Sequence, residues 1–162
     1  MNSTFLYALS VGYAHLAAWG DLLDQINVFP VADGDTGRNL MVTLSPLRHP
    51  ERSIDRTIHD ILFHARGNSG NIASAFFQPF IRGETQSFGE IVRQGRDCAW
   101  KAVPDPRPGT MLTFFDALAD SSSLAWNQET IKDRLSYLAE AVRCTFISRI
   151  NCDRPVWWMQ GR

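Results

Sequence analysis

The chain has 162 residues, 44% of them hydrophobic and 20% charged, with a formal net charge of -1. That suits one domain with a single core, and the near-neutral balance excludes the basic footprint of a nucleic-acid binder. No apolar run approaches the roughly 20 residues that span a bilayer, and the N-terminus lacks the charge and apolar core of a signal peptide.

Helical periodicity dominates and strand signals are nearly absent, so an all-α fold is expected. Leu6, Leu9, Tyr13, Leu16, Trp19, Leu23 and Ile26 recur at steps of three and four and predict one helix over 3–26. A second is expected from about Gly37 to Leu47, closed by Pro46 and Pro50. Ser53 or Asp55 opens a third, with Ile54, Ile58, Ile61 and Leu62 inward, which stops at Arg66-Gly67. A fourth follows Asn68-Ser69 and is interrupted by Pro79; Phe76, Phe77 and Phe80 read most simply as core. The fifth covers about 88–102, and the sixth starts at Thr110 and is broken at Asp120 to Ser123. A seventh is expected over 127–150, and the tail holds Trp157 and Trp158. Cys98, Cys144 and Cys152 are widely spaced and form no C-x-x-C pair, which fits a reducing cytoplasm.

Chemistry gathers in three turns between these helices. The first, Asp33-Gly34-Asp35-Thr36-Gly37, sets two carboxylates two residues apart behind the apolar approach Val28, Phe29 and Val31. Asp-Gly pairs are common in plain turns, but two carboxylates held in an apolar setting need a cation. Mg2+ takes one or two carboxylates and completes its shell with water and phosphate oxygens. Thr36 is placed to cap the following helix, aiming its free amides at the same point. The second turn is Ala65-Arg66-Gly67-Asn68-Ser69-Gly70-Asn71, whose glycines let backbone amides approach phosphate oxygens. The third is Pro108-Gly109-Thr110-Met111-Leu112, where Thr110 reads most simply as a helix cap. In an up-down arrangement alternate loops share one end, so all three turns should lie on one rim. His15, His49, His59 and His64 read as surface or packing residues, with His64 nearest the second turn.

The segments from Asn27 to Gly37, from Ala65 to Gly70, Lys101-Ala102-Val103, and from Pro108 to Leu112 resemble the ATP-binding domain of the dihydroxyacetone-kinase L-subunit (DhaL) type. Their wording is most similar to the N-terminal domain of the fatty acid kinase A type, over about residues 5–145 and in the same order. The resemblance implies an antiparallel helical barrel of about eight helices, the last incomplete here, formed by residues 1–162 as one nucleotide-binding domain. It implies ATP or ADP held through two Mg2+ ions on Asp33 and Asp35, with Asn27 roughly where the L-subunit has a further metal-binding Asp. Thr36, Gly37, Arg38 and Asn39 would line the phosphates, Gly67, Asn68, Ser69 and Gly70 would wrap them, and Thr110 and Met111 would border the nucleotide. Arg38 departs from the small residue usual there, and Pro79 from an unbroken helix. The chain ends at Gln160-Gly161-Arg162, about where a nucleotide-covering Val-Asp-x-Gly loop would begin, so truncation at the C-terminus is expected.

The function implied is that of a cytoplasmic kinase's Mg-ATP domain. It would phosphorylate a carboxylate acceptor presented by a DegV-type fatty-acid-binding protein, with no integral membrane segment. A carboxylate nucleophile needs no general base, and no residue is assigned as one. Two alternatives stay open: a dihydroxyacetone (glycerone) kinase nucleotide subunit, and a non-catalytic ADP-binding module that docks a partner.

Overall fold

A computed structural model describes residues 3–27, 32–83, 87–108 and 110–125, together with positions 136, 137, 139, 140 and 143. The expected helix over 127–150 falls, apart from those last positions, outside the described residues, as do Val28, Phe29, Val31, Trp157 and Trp158. Among the described residues the regular structure is entirely helical, and the fold is an all-α bundle.

The helix expected over 3–26 is two helices, α1 (Ser3–Ala18) and α2 (Gly20–Gln25). Trp19 leaves helical geometry at φ -109°, ψ 7°. The break serves packing. Gly20 is buried, and a Cβ there would lie 2.8 Å from the Met41 sulfur. Trp19 and Ile26, expected on the inward stripe, are both 61% exposed, Trp19 in the break and Ile26 just past the end of α2. Leu6 is buried, and Leu9, Tyr13, Leu16 and Leu23 pack against the core as the periodicity predicts.

α3 (Thr36–Leu44) buries Leu40 and Leu44 and passes into a 3-10 turn at Ser45–Arg48, where Pro46 removes the next helical donor. α4 (Ile54–His64) starts from Ser53, whose hydroxyl accepts the Arg56 amide. Ile58 and Ile61 point inward, whereas Leu62, one step of about 100° further round, is exposed. α5 (Gly67–Arg82) continues a further turn past Pro79. α6 (Phe88–Trp100) is opened by a reciprocal capping box between Ser87 and Glu90. α7 (Met111–Ala125) runs straight through the expected break at 120–123. Ser121 and Ser122 are buried there, and the Ser122 hydroxyl donates to the Ala119 carbonyl at 2.9 Å. A serine that bonds back into its own helix needs no water and does not end it.

α5 packs against α3, α4, α6 and α7, so it separates two apolar clusters. One gathers Leu40, Leu44, Ile58, Ile61 and Ile81. The other gathers Ile72, Phe76, Val92, Leu112 and Phe115, with Phe76 and Phe115 stacked at 4.0 Å between centroids. Phe77 and Met111 pack against both. Phe76 lies on Gly95, where a Cβ would stand 2.8 Å from its ring. The aromatic residues of α5 are therefore core, as expected.

Candidate functional site

The first two turns meet. Gly67 opens α5 at φ +61°, a left-handed geometry that favours glycine, and a Cβ there would lie 2.5 Å from the Asn39 amide nitrogen. Four residues further along α3, the Thr43 hydroxyl accepts the Arg66 amide at 3.2 Å and donates to the His64 carbonyl at 3.5 Å. Gly70 is packed against the same hydroxyl. Asn39 with Gly67, then Thr43 with Gly70, fixes α3 and α5 side by side with their N-termini at one end. The positive dipole ends of both helices therefore share one rim.

The two N-termini differ. α5 starts without a capping side chain: Arg66 precedes it in extended geometry and makes no cap bond. Asn68 is exposed, Ser69 is half-buried, and the Gly70 amide bonds to the Arg66 carbonyl at 2.9 Å. α3 is capped from outside. Thr36, expected as the cap, is instead the first helical residue, and Asp35 holds the cap position at φ -125°, ψ 2° without a side-chain cap bond. The cap is Asp24 of α2, whose Oδ1 accepts the Gly37 amide at 2.6 Å and the Arg38 amide at 3.2 Å. Gly37 fits beneath α2 only because it has no Cβ, which would collide with the Gly20 carbonyl.

Asp33 is exposed, and its Oδ1 accepts the Asn27 side-chain amide at 2.5 Å. Asn27 thus presents its donor end to Asp33 and steadies that carboxylate. Asp35 is half-buried, and its carboxylate has no hydrogen-bond or ion-pair partner among the described residues. Gly34, between them, takes φ +60°. Arg38 and Arg66 are both exposed at this rim. Among the described residues no group of three or more His, Cys, Asp or Glu side chains gathers into a metal cage. The donor set, two carboxylates flanking a glycine turn, still fits a hard cation that takes most of its shell from water and phosphate.

Thr110 heads α7, where its hydroxyl accepts the Leu112 amide at 3.3 Å and donates to the Arg107 carbonyl at 2.8 Å. Its capping role is as expected, but those bonds stay within its own turn. Met111, next along, reaches the seam between the two clusters. The Nδ1 of His64 is buried with no hydrogen-bond partner among the described residues. A concavity of about 340 Å³ lined by Gln78, Pro79, Arg82, Gly83, Gln94 and Cys98 lies at the far end of α5 from this rim.

Sequence reasoning missed Asp24. Its partners stand 13 and 14 positions away, on a helix that only the fold brings alongside. The one available signal is Gly37, two residues after Asp35, a position small enough for another helix to approach.

No family model matches the chain. It is similar to an uncharacterized protein of Staphylococcus epidermidis, 34% identical over 147 residues that make up 80% of this chain and 27% of that protein. It is 35% identical over 127 residues to an uncharacterized protein of Staphylococcus saprophyticus, covering 68% of this chain and 23% of the other. An uncharacterized protein of Staphylococcus aureus is 34% identical over 144 residues, 78% of this chain and 26% of that protein. The chain spans about a quarter of the length of the curated relatives it matches. Among the described residues no helix is long and apolar enough to cross a membrane.

Proposed function

We propose that the chain is the Mg-ATP-binding domain of a phosphotransferase of the dihydroxyacetone-kinase L-subunit type. Its acceptor, in the fatty acid kinase manner, is a carboxylate presented by a DegV-type lipid-binding protein in the cytoplasm. The observation that carries this reading is the shared rim. The uncapped start of α5 lies beside the start of α3, with the unpartnered carboxylate of Asp35 at its edge. Backbone amides supply the anion-binding half and two aspartates supply the cation-binding half, which together match a metal-bridged polyphosphate.

Asp33 and Asp35 would hold Mg2+, which when bound neutralises the phosphates and the transferring group. The amides of Gly67, Asn68 and Ser69 would orient phosphate oxygens, and Arg38 and Arg66 would add charge from the exposed side. Asn27 holds the Asp33 carboxylate in place, and Met111 would offer an apolar edge to the base. An attacking carboxylate is already ionised, so the chain need only align it with the phosphorus and exclude water.

The test is a calorimetric titration of ADP and ATP with and without Mg2+. Binding is expected only with Mg2+, and Asp33→Ala or Asp35→Ala should abolish it. Nucleotide binding indifferent to Mg2+ and to both substitutions would overturn the reading. With the partner supplied, transfer to a fatty acid rather than to dihydroxyacetone is the expected result, and tight ADP binding without any transfer points to a docking module.

A further inference from the structure

We propose that Asp24 is a positioning residue that frees the Asp35 carboxylate for the cation, an inference that rests on reading the Asp33-Gly34-Asp35 turn as a cation–nucleotide site. An aspartate at a helix N-cap ordinarily folds its own carboxylate back onto the second and third amides of the helix. In α3 those amides belong to Gly37 and Arg38, and both are already taken by Asp24 Oδ1, at 2.6 and 3.2 Å. Asp35 occupies the cap position and makes no cap bond. One carboxylate does the capping so that the other does not.

Asp24 also meets the turn through its main chain. Its carbonyl oxygen lies 3.7 Å from where a Cβ on Gly34 would stand, so Asp24 borders the turn on both sides of Asp35. α2 is brought to this place by the contact between Gly20 and Gly37, which any side chain at Gly37 would prevent. Asn27, two residues beyond the end of α2, then steadies Asp33. A single short helix and the residue after it therefore set both aspartates of the turn: one by holding it, the other by taking over its competing bonds.

Without Asp24 the Gly37 and Arg38 amides are left open, and the side chain at the cap position, able to accept them, is Asp35. Asp35 then turns inward to cap α3, the fold is retained, and the cation loses a ligand. Two variants separate this from a merely structural role. In Asp24→Ala, affinity for Mn2+ with ADP, read by electron paramagnetic resonance and calorimetry, is expected to fall about 10- to 100-fold, as for removal of a residue that orients a metal ligand. In Asp24→Asn the amide oxygen still accepts both N–H groups, so affinity should return to within about threefold of wild type. Unchanged affinity in Asp24→Ala, or an equal loss in Asp24→Asn, would overturn the proposal.

A second measurement needs no nucleotide. Asp35→Ala should leave the urea midpoint of the otherwise wild-type chain unmoved, because the side chain makes no cap bond, but should lower it in the Asp24→Ala background, where Asp35 has become the cap. Additive effects would again overturn the proposal. Should the wild-type chain fail to bind Mn2+ with ADP, the cation–nucleotide reading fails, and this cycle alone decides whether Asp24 relieves Asp35 of capping.

Discussion

Asp60 is a buried carboxylate with three side-chain partners. His59 Nδ1 lies 3.2 Å from Oδ1, and Arg56 Nε and Arg52 Nη1 lie 3.0 and 3.2 Å from Oδ2. The His59 hydrogen bond, followed by the Arg56 and Arg52 guanidiniums, holds its carboxyl below the ordinary aspartate range. Protonation therefore costs the folded chain more than the unfolded one. The stabilisation is complete above the ordinary value and is lost as pH falls through the lowered one. Melting temperature followed from neutral pH downward should show an acid limb, and Asp60→Asn should flatten that limb while lowering stability at pH 7. Gly67 offers a different single-residue test. At φ +61° and against Asn39, an alanine incurs the left-handed cost of about 1–2 kcal/mol and displaces Asn39 as well. Urea unfolding of Gly67→Ala should register at least that loss, and Mg-nucleotide affinity should fall with it.

At the level of helices, the geometry of the rim depends on two glycine contacts, Gly37 under α2 and Gly70 on Thr43. Gly37→Ala forces α2 away from α3, a destabilisation of about 1–3 kcal/mol in urea unfolding, and it should loosen the Asp24 bonds, seen as faster amide exchange at Gly37 and Arg38. These contacts also mark how far the sequence could be read. The apolar stripe of α1, the Ser53 start of α4 and the cluster of Phe76 with its neighbours were legible because helical spacing and caps are local signals. The Asp33–Asp35 turn and the Gly67–Gly70 turn were legible because glycine and aspartate at fixed spacing restrict the backbone. The break at Trp19 was not, because the stripe runs across it unbroken and only contact with Met41 explains it. Nor was the continuity of α7, since Ser121 and Ser122 look like a break until both are seen to be buried and the Ser122 hydroxyl to bond within the helix. Asp24 was hidden for the same reason as Trp19: its role exists only once two helices are docked.

In the whole molecule, α5 is the shared wall of both apolar clusters, and Phe77 and Met111 bridge them. Phe76, 2% exposed and stacked on Phe115, is the largest link on the α6–α7 side. Phe76→Ala should cost about 3–5 kcal/mol. If the clusters are coupled through α5, tryptophan fluorescence and far-ultraviolet dichroism will still report one coincident urea transition. Two separated transitions would mean that the α6–α7 side unfolds independently of the rim.

Thr43 carries a consequence for kinetics. Its one hydroxyl takes the Arg66 amide and reaches the His64 carbonyl, so the chain reversal ahead of α5 is pinned to α3 before anything arrives. Capture then involves no wait for that reversal to assemble. In stopped-flow mixing, the observed rate should climb in direct proportion to Mg-nucleotide concentration without levelling off, whereas Thr43→Val, with the pin removed, should introduce a plateau.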